Sequence, residues 1–331
     1  MKILVIQTSF IGDVILATGI VEKLHTFYPD AALDILVRKG NESLFEAHPY
    51  LKRILIWDKS KTKYKNLFRL LQQIRNTKYD LIINLQRFGA SGLLTAFSGA
   101  KESRGFEKNP FSFLFTKKFP HRIGADSTGN FLHEIARNHH LIEDLTDAQA
   151  HLPKLYPSMK NEEHTALYKT EPYITIAPAS VWFTKQYPAE KWINFMDHAN
   201  GYKIYLLGGK SDIPLCEGIS AASAHVNFEI LAGKLSFLDT CALMKDAVMN
   251  YTNDSGPMHL ASAVNAPTAA IFCSTLPEFG FGPLSDKKYI IEIKENLECR
   301  PCGIHGRSTC PKGHFKCGFN IDDLALIEIL N

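Results

Sequence analysis

Apolar residues along the chain fall into short continuous runs separated by segments of helical period, and this alternation occurs twice. Runs at 3–6, 33–37, 53–57 and 81–85 are rich in Ile, Leu and Val, as strands covered on both faces are. Between them, 14–27 and 64–75 have amphipathic spacing, the second with Leu67, Leu70, Leu71 and Ile74 along one face. A further helix is expected over 130–141. The pattern lapses over 152–172, where Pro153, Pro157, Lys160, Asn161, Glu162, Glu163 and Pro172 read as the last elements of a first domain and a linker. It restarts with strands at 173–177, 203–207, 248–251 and 268–272 and helices at 190–199, 212–222, 237–245 and 258–264. An apolar helix over 321–330 closes the chain, with Asp322 and Asp323 suited to its N-terminus. Strand–helix alternation predicts parallel sheets flanked by helices, hence an α/β fold with domains at 1–165 and 166–318. The remaining segment, 319–331, is expected to be a helix able to pack back on the first domain.

Composition narrows the class. The 331 residues are 45% hydrophobic and 21% charged, enough apolar side chain for two cores, and a net charge of +3 gives no bulk argument for nucleic acid. The start of the chain lacks the layout of a signal peptide, and no run of about 18 apolar residues is present. Seven cysteines, an odd number, fit a reducing compartment better than a disulfide framework. A cytoplasmic protein is expected, one able to work at the inner face of a membrane.

Four segments carry candidate chemistry, each just after a predicted strand. In Phe10-Ile11-Gly12-Asp13-Val14, Gly12 permits a tight turn and Asp13 stands at the carboxyl edge of the sheet, where open α/β sheets bind ligands. Asp13 also reads as a plain helix cap. The Gly-x-Gly-x-x-Gly dinucleotide fingerprint is absent, which argues against a nicotinamide-dependent dehydrogenase. In 177–188, Ser180, Thr184 and Lys185 offer hydroxyls and a cation to a phosphate, although Lys185 also reads as a solvated loop residue. Gly208-Gly209-Lys210 allows close approach of a ligand to the backbone, or simply a turn. The most specific segment is Asn253-Asp254-Ser255-Gly256-Pro257-Met258-His259. A helix opening at Gly256-Pro257 would offer the amides of Ser255, Gly256 and Met258 to a pyrophosphate, with Asp254 and His259 close by.

In this order, the segments resemble glycosyltransferase family 9, the lipopolysaccharide heptosyltransferases. Gly12-Asp13-Val14, Lys185-Gln186-Tyr187-Pro188, Gly208-Gly209, and the stretch from Asn253 through His259 to Ala261 match its signatures. Ala232-Gly233-Lys234-Leu235-Ser236 is similar to the family stretch that lines the nucleotide base. The match runs from residue 3 to about 320. The resemblance implies a GT-B architecture of two Rossmann-like domains facing a deep cleft, an acceptor-binding first domain and a nucleotide-sugar-binding second one. It implies an inverting transfer of heptose from ADP-heptose to a lipopolysaccharide inner-core acceptor, with no cofactor required. Asp13 would then be the general base and Gly12 part of the acceptor site. Lys185 would be catalytic and, with Ser180 and the Ser255-Gly256 turn, would hold the donor diphosphate. Asp254 would hold donor hydroxyls and His259 would wall the phosphate side, with Gly209, Lys210 and Leu235 completing the donor site. The family places a second hydroxyl beside Ser180 where this chain has Val181; Thr184 is the candidate substitute.

Residues 101–122 interleave Lys101, Arg104, Lys108, Lys117, Lys118 and Arg122 with Phe106, Phe111, Phe113, Phe115 and Phe119. That mixture fits a phosphorylated glycolipid at an anionic membrane, with Arg104, Lys108 and Arg122 as acceptor contacts. It equally fits a strand or helix whose phenylalanines are core. Cys299, Cys302, Cys310 and Cys317, near His305 and His314, have spacing that permits a structural zinc but not a standard pair of knuckles; no catalytic metal is expected. Two further readings stay open: a nucleotide-sugar epimerase of the same fold, and a non-catalytic module that binds phosphorylated ligands.

Overall fold

The computed structural model describes residues 1–60, 62–125 and 129–330; Asn331, the last residue of the expected terminal helix, lies outside them. The chain forms two compact units, Met1–Tyr156 and Pro157–Asn331. The first holds a parallel sheet of β1 (Lys2–Ile6), β2 (Ala32–Arg38), β3 (Leu51–Trp57), β4 (Leu81–Asn84), β5 (Glu102–Phe106) and β6 (Lys117–Phe119), ordered β3-β2-β1-β4-β5-β6. Its register pairs Ile6 with Leu36 on one side and Asn84 on the other, so β1 and β4 end level at the point where strand order reverses. The second holds β7 (Tyr173–Ala177), β8 (Lys203–Leu206), β9 (Phe228–Ile230), β10 (Met249–Asn253), β11 (Thr268–Phe272) and β12 (Lys288–Glu292), ordered β12-β11-β10-β7-β8-β9. There the reversal falls between β7 and β10, with Ala177 beside Thr252. Such reversals open a crevice beyond the carboxyl ends of the central strands.

The predicted central strands all form, because continuous Ile, Leu and Val runs are stable only where both faces are covered. In the first unit, helix Lys63–Thr77 covers one face and buries Leu67, Leu70 and Ile74, with Leu71 partly buried beside them. Each such side chain contributes about 1.5–3 kcal/mol by leaving water. The segment expected as one helix over 14–27 forms two, Ile11–Leu16 and Thr18–Phe27. At the junction the Thr18 hydroxyl donates to the Ile15 carbonyl at 2.7 Å and accepts the Lys154 amide at 2.8 Å. A Cβ on Gly19 would lie 2.5 Å from the His151 carbonyl oxygen, so glycine lets the returning chain cross this helix. The helix expected over 130–141 shortens to Glu134–His139.

In the second unit, Trp192, Phe195, Met196, Tyr251 and Ile271 form the core. The closing segment contributes Ile321 and Leu326 to that same core, and only Leu324–Ile327 is helical. Asp323 anchors it: the carboxylate accepts from the Tyr187 hydroxyl and Lys191 Nζ, both at 2.6 Å, and from Asn194 Nδ2 at 2.9 Å. Helix Met159–Thr165 also belongs to this unit, where Asn161 Nδ2 donates to Asp239 at 2.8 Å. No helix of the described residues is long and apolar enough to cross a membrane.

Candidate donor and acceptor sites at the sheet ends

In the second unit the loop after β7 and the loop after β10 meet at the strand-order reversal. Asn253, the last residue of β10 and fully buried, joins them: its Oδ1 accepts the Tyr187 amide at 2.9 Å and its Nδ2 donates to the Pro178 carbonyl at 2.8 Å. This clamp sets Lys185 beside Asp254, with Nζ 2.7 Å from Oδ2. Thr275 donates its hydroxyl to the same oxygen at 2.7 Å, and the Asp254 amide donates to the Ile271 carbonyl. Both partners are largely buried, with side-chain exposures of 14% and 9%, so the pair is poorly screened. An ammonium carries three donors and one carboxylate oxygen takes one of them, which leaves Lys185 able to bind an anion.

Helix Gly256–Ala263 begins at this point, with Ser255 extended before it and Pro257 in its first turn. A helix start leaves its first amides without intrahelical partners and carries a partial positive charge. Of the three amides expected to serve an anion, Met258 donates to the Ser255 carbonyl, which leaves Ser255 and Gly256 as the candidates. His259 is buried one turn in. Ser180 is half-buried, and its carbonyl accepts from Gln186 Nε2 at 2.6 Å.

Thr184, expected as a phosphate contact, has another task. It is fully buried, and its hydroxyl oxygen accepts from Ser274 Oγ at 2.9 Å and from the Arg307 amide at 2.8 Å. At the ends of β8 and β9 the Gly233 amide donates to the Gly208 carbonyl, and a Cβ on Gly233 would lie 3.0 Å from Lys210 Cγ. The two glycine turns therefore lie against each other, with Gly209 and Lys210 exposed and Leu235 half-buried.

In the first unit, Gly12 and Asp13 lie in the first turn of helix Ile11–Leu16, partly exposed, directly beyond β1. The adjacent strand ends carry neutral amides and hydroxyls. Thr8 donates to Gln86 Oε1, and Gln86 Nε2 donates to Gln7 Oε1, both at 2.8 Å. Lys59, which no motif singles out, also reaches this edge. Its Nζ donates to the Thr8 carbonyl at 2.7 Å, and burial, then Arg38 and Lys63, push it below the usual lysine range. Arg38 lies over the Phe10 ring, 5.3 Å from its centre. The only sequence signal for these cations is their place just after β3 and at the end of β2.

In the stretch 101–122 some basic and aromatic side chains are buried and others are exposed. Arg104, expected at the acceptor, is fully buried in β5; Glu102 at 2.7 Å, the Leu141 carbonyl at 2.9 Å and Asp144 take up its guanidinium. A buried cation without these partners would be strongly destabilising, so the side chain is not available to a ligand. Phe106 and Phe115 are buried as in the strand reading, whereas Phe113 is exposed. Lys108 and Arg122 remain exposed.

Cys216, Cys241 and Cys273 are buried packing residues, and burial pushes the Cys216 thiol up to about 12. Of the C-terminal four, Cys317 is in the core, with its thiol raised by burial to about 12. Burial alone would raise Cys310 as well, but the amides of Phe315, Lys312, Gly313 and His314 outweigh it and hold the thiol below its usual value. Cys299 Sγ lies 3.8 Å from His314 Nε2. Among the described residues no group of three or more His, Cys, Asp or Glu is arranged to hold a metal ion.

The sequence profile of glycosyltransferase family 9 (heptosyltransferase) matches residues 67–310. Lipopolysaccharide heptosyltransferase 3 of Escherichia coli is 27% identical, over 80% of this chain and 82% of that protein. Lipooligosaccharide heptosyltransferase 2 of Haemophilus influenzae is 26% identical, over 89% of each. The solved structure of E. coli ADP-heptose lipopolysaccharide heptosyltransferase II superposes with a TM-score of 0.80 at 23% identity, over 100% of this chain and 98% of that one. A family 9 structure from Veillonella parvula gives 0.76 at 22% identity, over 87% and 85%.

Proposed function

The chain belongs to glycosyltransferase family 9, and from that premise we propose that it moves a heptose from ADP-heptose to an inner-core sugar of a lipopolysaccharide acceptor. The observation that carries the donor half of this reading is the Lys185–Asp254–Thr275 group beside a helix N-terminus, at the carboxyl ends of β7 and β10. Lys185, the Ser255 and Gly256 amides and Ser180 would hold the diphosphate, with Asp254 orienting the lysine. Gly209, Lys210 and Leu235 would border the nucleotide, and His259 would back the phosphate side. An E. coli relative of the same fold was solved with ADP, at a TM-score of 0.70, which supports an adenine nucleotide here.

In the reaction, the acceptor hydroxyl oxygen forms a bond to the anomeric carbon as the bond from that carbon to the diphosphate oxygen breaks. ADP departs and the configuration inverts. Asp13 takes the hydroxyl proton. A carboxylate is a weak base for a sugar hydroxyl, so the proton moves late, once bond formation has acidified it. The charge that develops on the diphosphate is met by Lys185 and the helix amides, fixed before the reaction begins. That arrangement requires no divalent cation. Lys108 and Arg122, with Lys59 and Arg38, are cations suited to an anionic acceptor. An acceptor of this kind places the protein at the cytoplasmic face of a membrane.

Mass spectrometry of products made from ADP-heptose and core-truncated lipopolysaccharide tests the proposal. A mass gain of one heptose with release of ADP is expected. Consumption of a free nucleotide sugar without an acceptor would support the epimerase reading instead, and ADP binding without turnover on any acceptor the binding-module reading.

A further inference from the structure

The cysteine-rich segment has no part in the reaction as drawn, yet one of its turns touches the lysine on which the donor site depends. Arg307 and Thr184 exchange two hydrogen bonds: the Thr184 amide donates to the Arg307 carbonyl at 3.1 Å, and the Arg307 amide donates to the Thr184 hydroxyl oxygen at 2.8 Å. Gly306 precedes them with φ +76°, a left-handed conformation natural to glycine. A Cβ there would lie 2.8 Å from Lys185 Cγ, 3.2 Å from its Cδ and 3.1 Å from Thr184 Oγ1. The obstructed lysine atoms are the middle of its chain, not its mobile end, and the far end is held by Asp254.

The same segment is fixed to the loop after β11 that supplies Asp254's second partner, Thr275. The Cys302 amide donates to the Ser274 carbonyl at 2.9 Å, and Ser274 Oγ donates to Thr184. Arg300 donates to the carbonyls of Cys273 and Thr275, at 2.8 and 2.9 Å. The segment is therefore tied at Arg300 and Cys302 to the loop after β11, and its turn at 306–307 bears on Thr184 and the stem of Lys185.

We propose that Gly306, with the Arg307 backbone, is a positioning element that sets the direction of Lys185 toward the donor diphosphate. A side chain at 306 would turn the ammonium away without removing it. The proposal rests on the reading of Lys185 as a diphosphate ligand, and the test separates the two.

Calorimetric titration with ADP compares wild type, Gly306→Ala, Gly306→Asn, Lys185→Ala and the double variant Gly306→Ala/Lys185→Ala. Both substitutions at 306 are expected to weaken ADP binding about tenfold, as loss of a well-aimed charged hydrogen bond would. Asparagine tolerates positive φ better than alanine, so equal losses indicate the Cβ contact, and recovery in Gly306→Asn would point to backbone strain and overturn the proposal. The double variant should bind ADP no more weakly than Lys185→Ala, because both changes disable one interaction. Additive losses would mean that Gly306 acts on something else. If Lys185→Ala binds ADP normally, the diphosphate reading falls and takes the proposal with it. If only Lys185→Ala is weakened, the proposal alone falls. Hydrogen exchange on the wild-type protein needs no folded variant: ADP should slow exchange of the Thr184 and Arg307 amides together, and an unaffected Arg307 amide would contradict the coupling.

Discussion

The two sheets share one strand order and one point of reversal, but their carboxyl edges are finished differently. In the first unit the ends of β1 and β4 are tied by neutral groups, Gln7, Thr8 and Gln86, with Lys59 reaching in to a carbonyl. In the second, the ends of β7 and β10 are tied by the Asn253 amide and then carry an ion pair, Lys185 with Asp254. An edge tied by side-chain amides and a hydroxyl suits a ligand that offers hydroxyls, and a buried cation held by a carboxylate suits one that carries a diphosphate. One architecture can thus serve two ligand chemistries, because topology makes the crevice and the loop residues fill it.

The comparison breaks most decisively at Asp13. Asp13→Ala is expected to lower turnover roughly 10²–10⁴-fold while leaving ADP affinity unchanged, because it removes the proposed base and none of the groups proposed to hold the diphosphate. Steady-state kinetics with ADP-heptose and calorimetry with ADP check this; normal turnover would remove Asp13 from the mechanism. Lys185→Ala should do the converse on the donor side, weakening ADP by about 10–100-fold, the scale of a charged hydrogen bond in a sheltered site. Lys185→Arg should recover only part of that loss, since a planar fork does not reproduce an ammonium point charge.

Two smaller effects sharpen the picture. Asn253→Ala leaves the Tyr187 amide and the Pro178 carbonyl without their shared partner and should destabilise the second unit by about 1–3 kcal/mol. Scanning calorimetry should show a lower melting transition for that variant. In the first unit, the hydrogen bond from Arg104, with help from Lys117, lowers Asp144 to about 2 from an ordinary 3.8. A depressed carboxyl adds stability that is present above its unfolded value and lost as pH falls through the folded one. The melting temperature should therefore drop as pH falls from about 4 to 2, and Asp144→Asn should flatten that drop. Asp144 is 44% exposed, so solvent screening keeps the effect modest.

The central strands and the amphipathic helices were legible because their signals are local. An Ile-Leu-Val run or a Leu67–Leu70–Ile74 stripe records which face a segment buries, whatever lies opposite. β5 was legible only as one alternative for 101–122, because its sequence, Glu102 to Phe106, is mostly polar; in the sheet Asp144 and the Leu141 carbonyl, far along the chain, complete Arg104. β9 and β12 were missed for a different reason: they are outermost strands, short or exposed, with little apolar signal of their own. Likewise the junction at Ala17, which splits one expected helix, depends on the chain returning at His151 and Lys154.

At the sites, the sequence by itself determined the residue types and their places after strands: Asp13 after β1, Lys185 after β7, Asp254 after β10. Tertiary structure decided which of them act together. It joined Lys185 to Asp254 and Thr275, buried Thr184 beneath them, turned Arg104 inward and brought Gly306 against the lysine stem. The physical reason is distance along the chain. A period of 2 or 3.6 residues reports on neighbours, whereas a hydrogen bond between residues many tens of positions apart exists only once a parallel sheet has set their strand ends side by side.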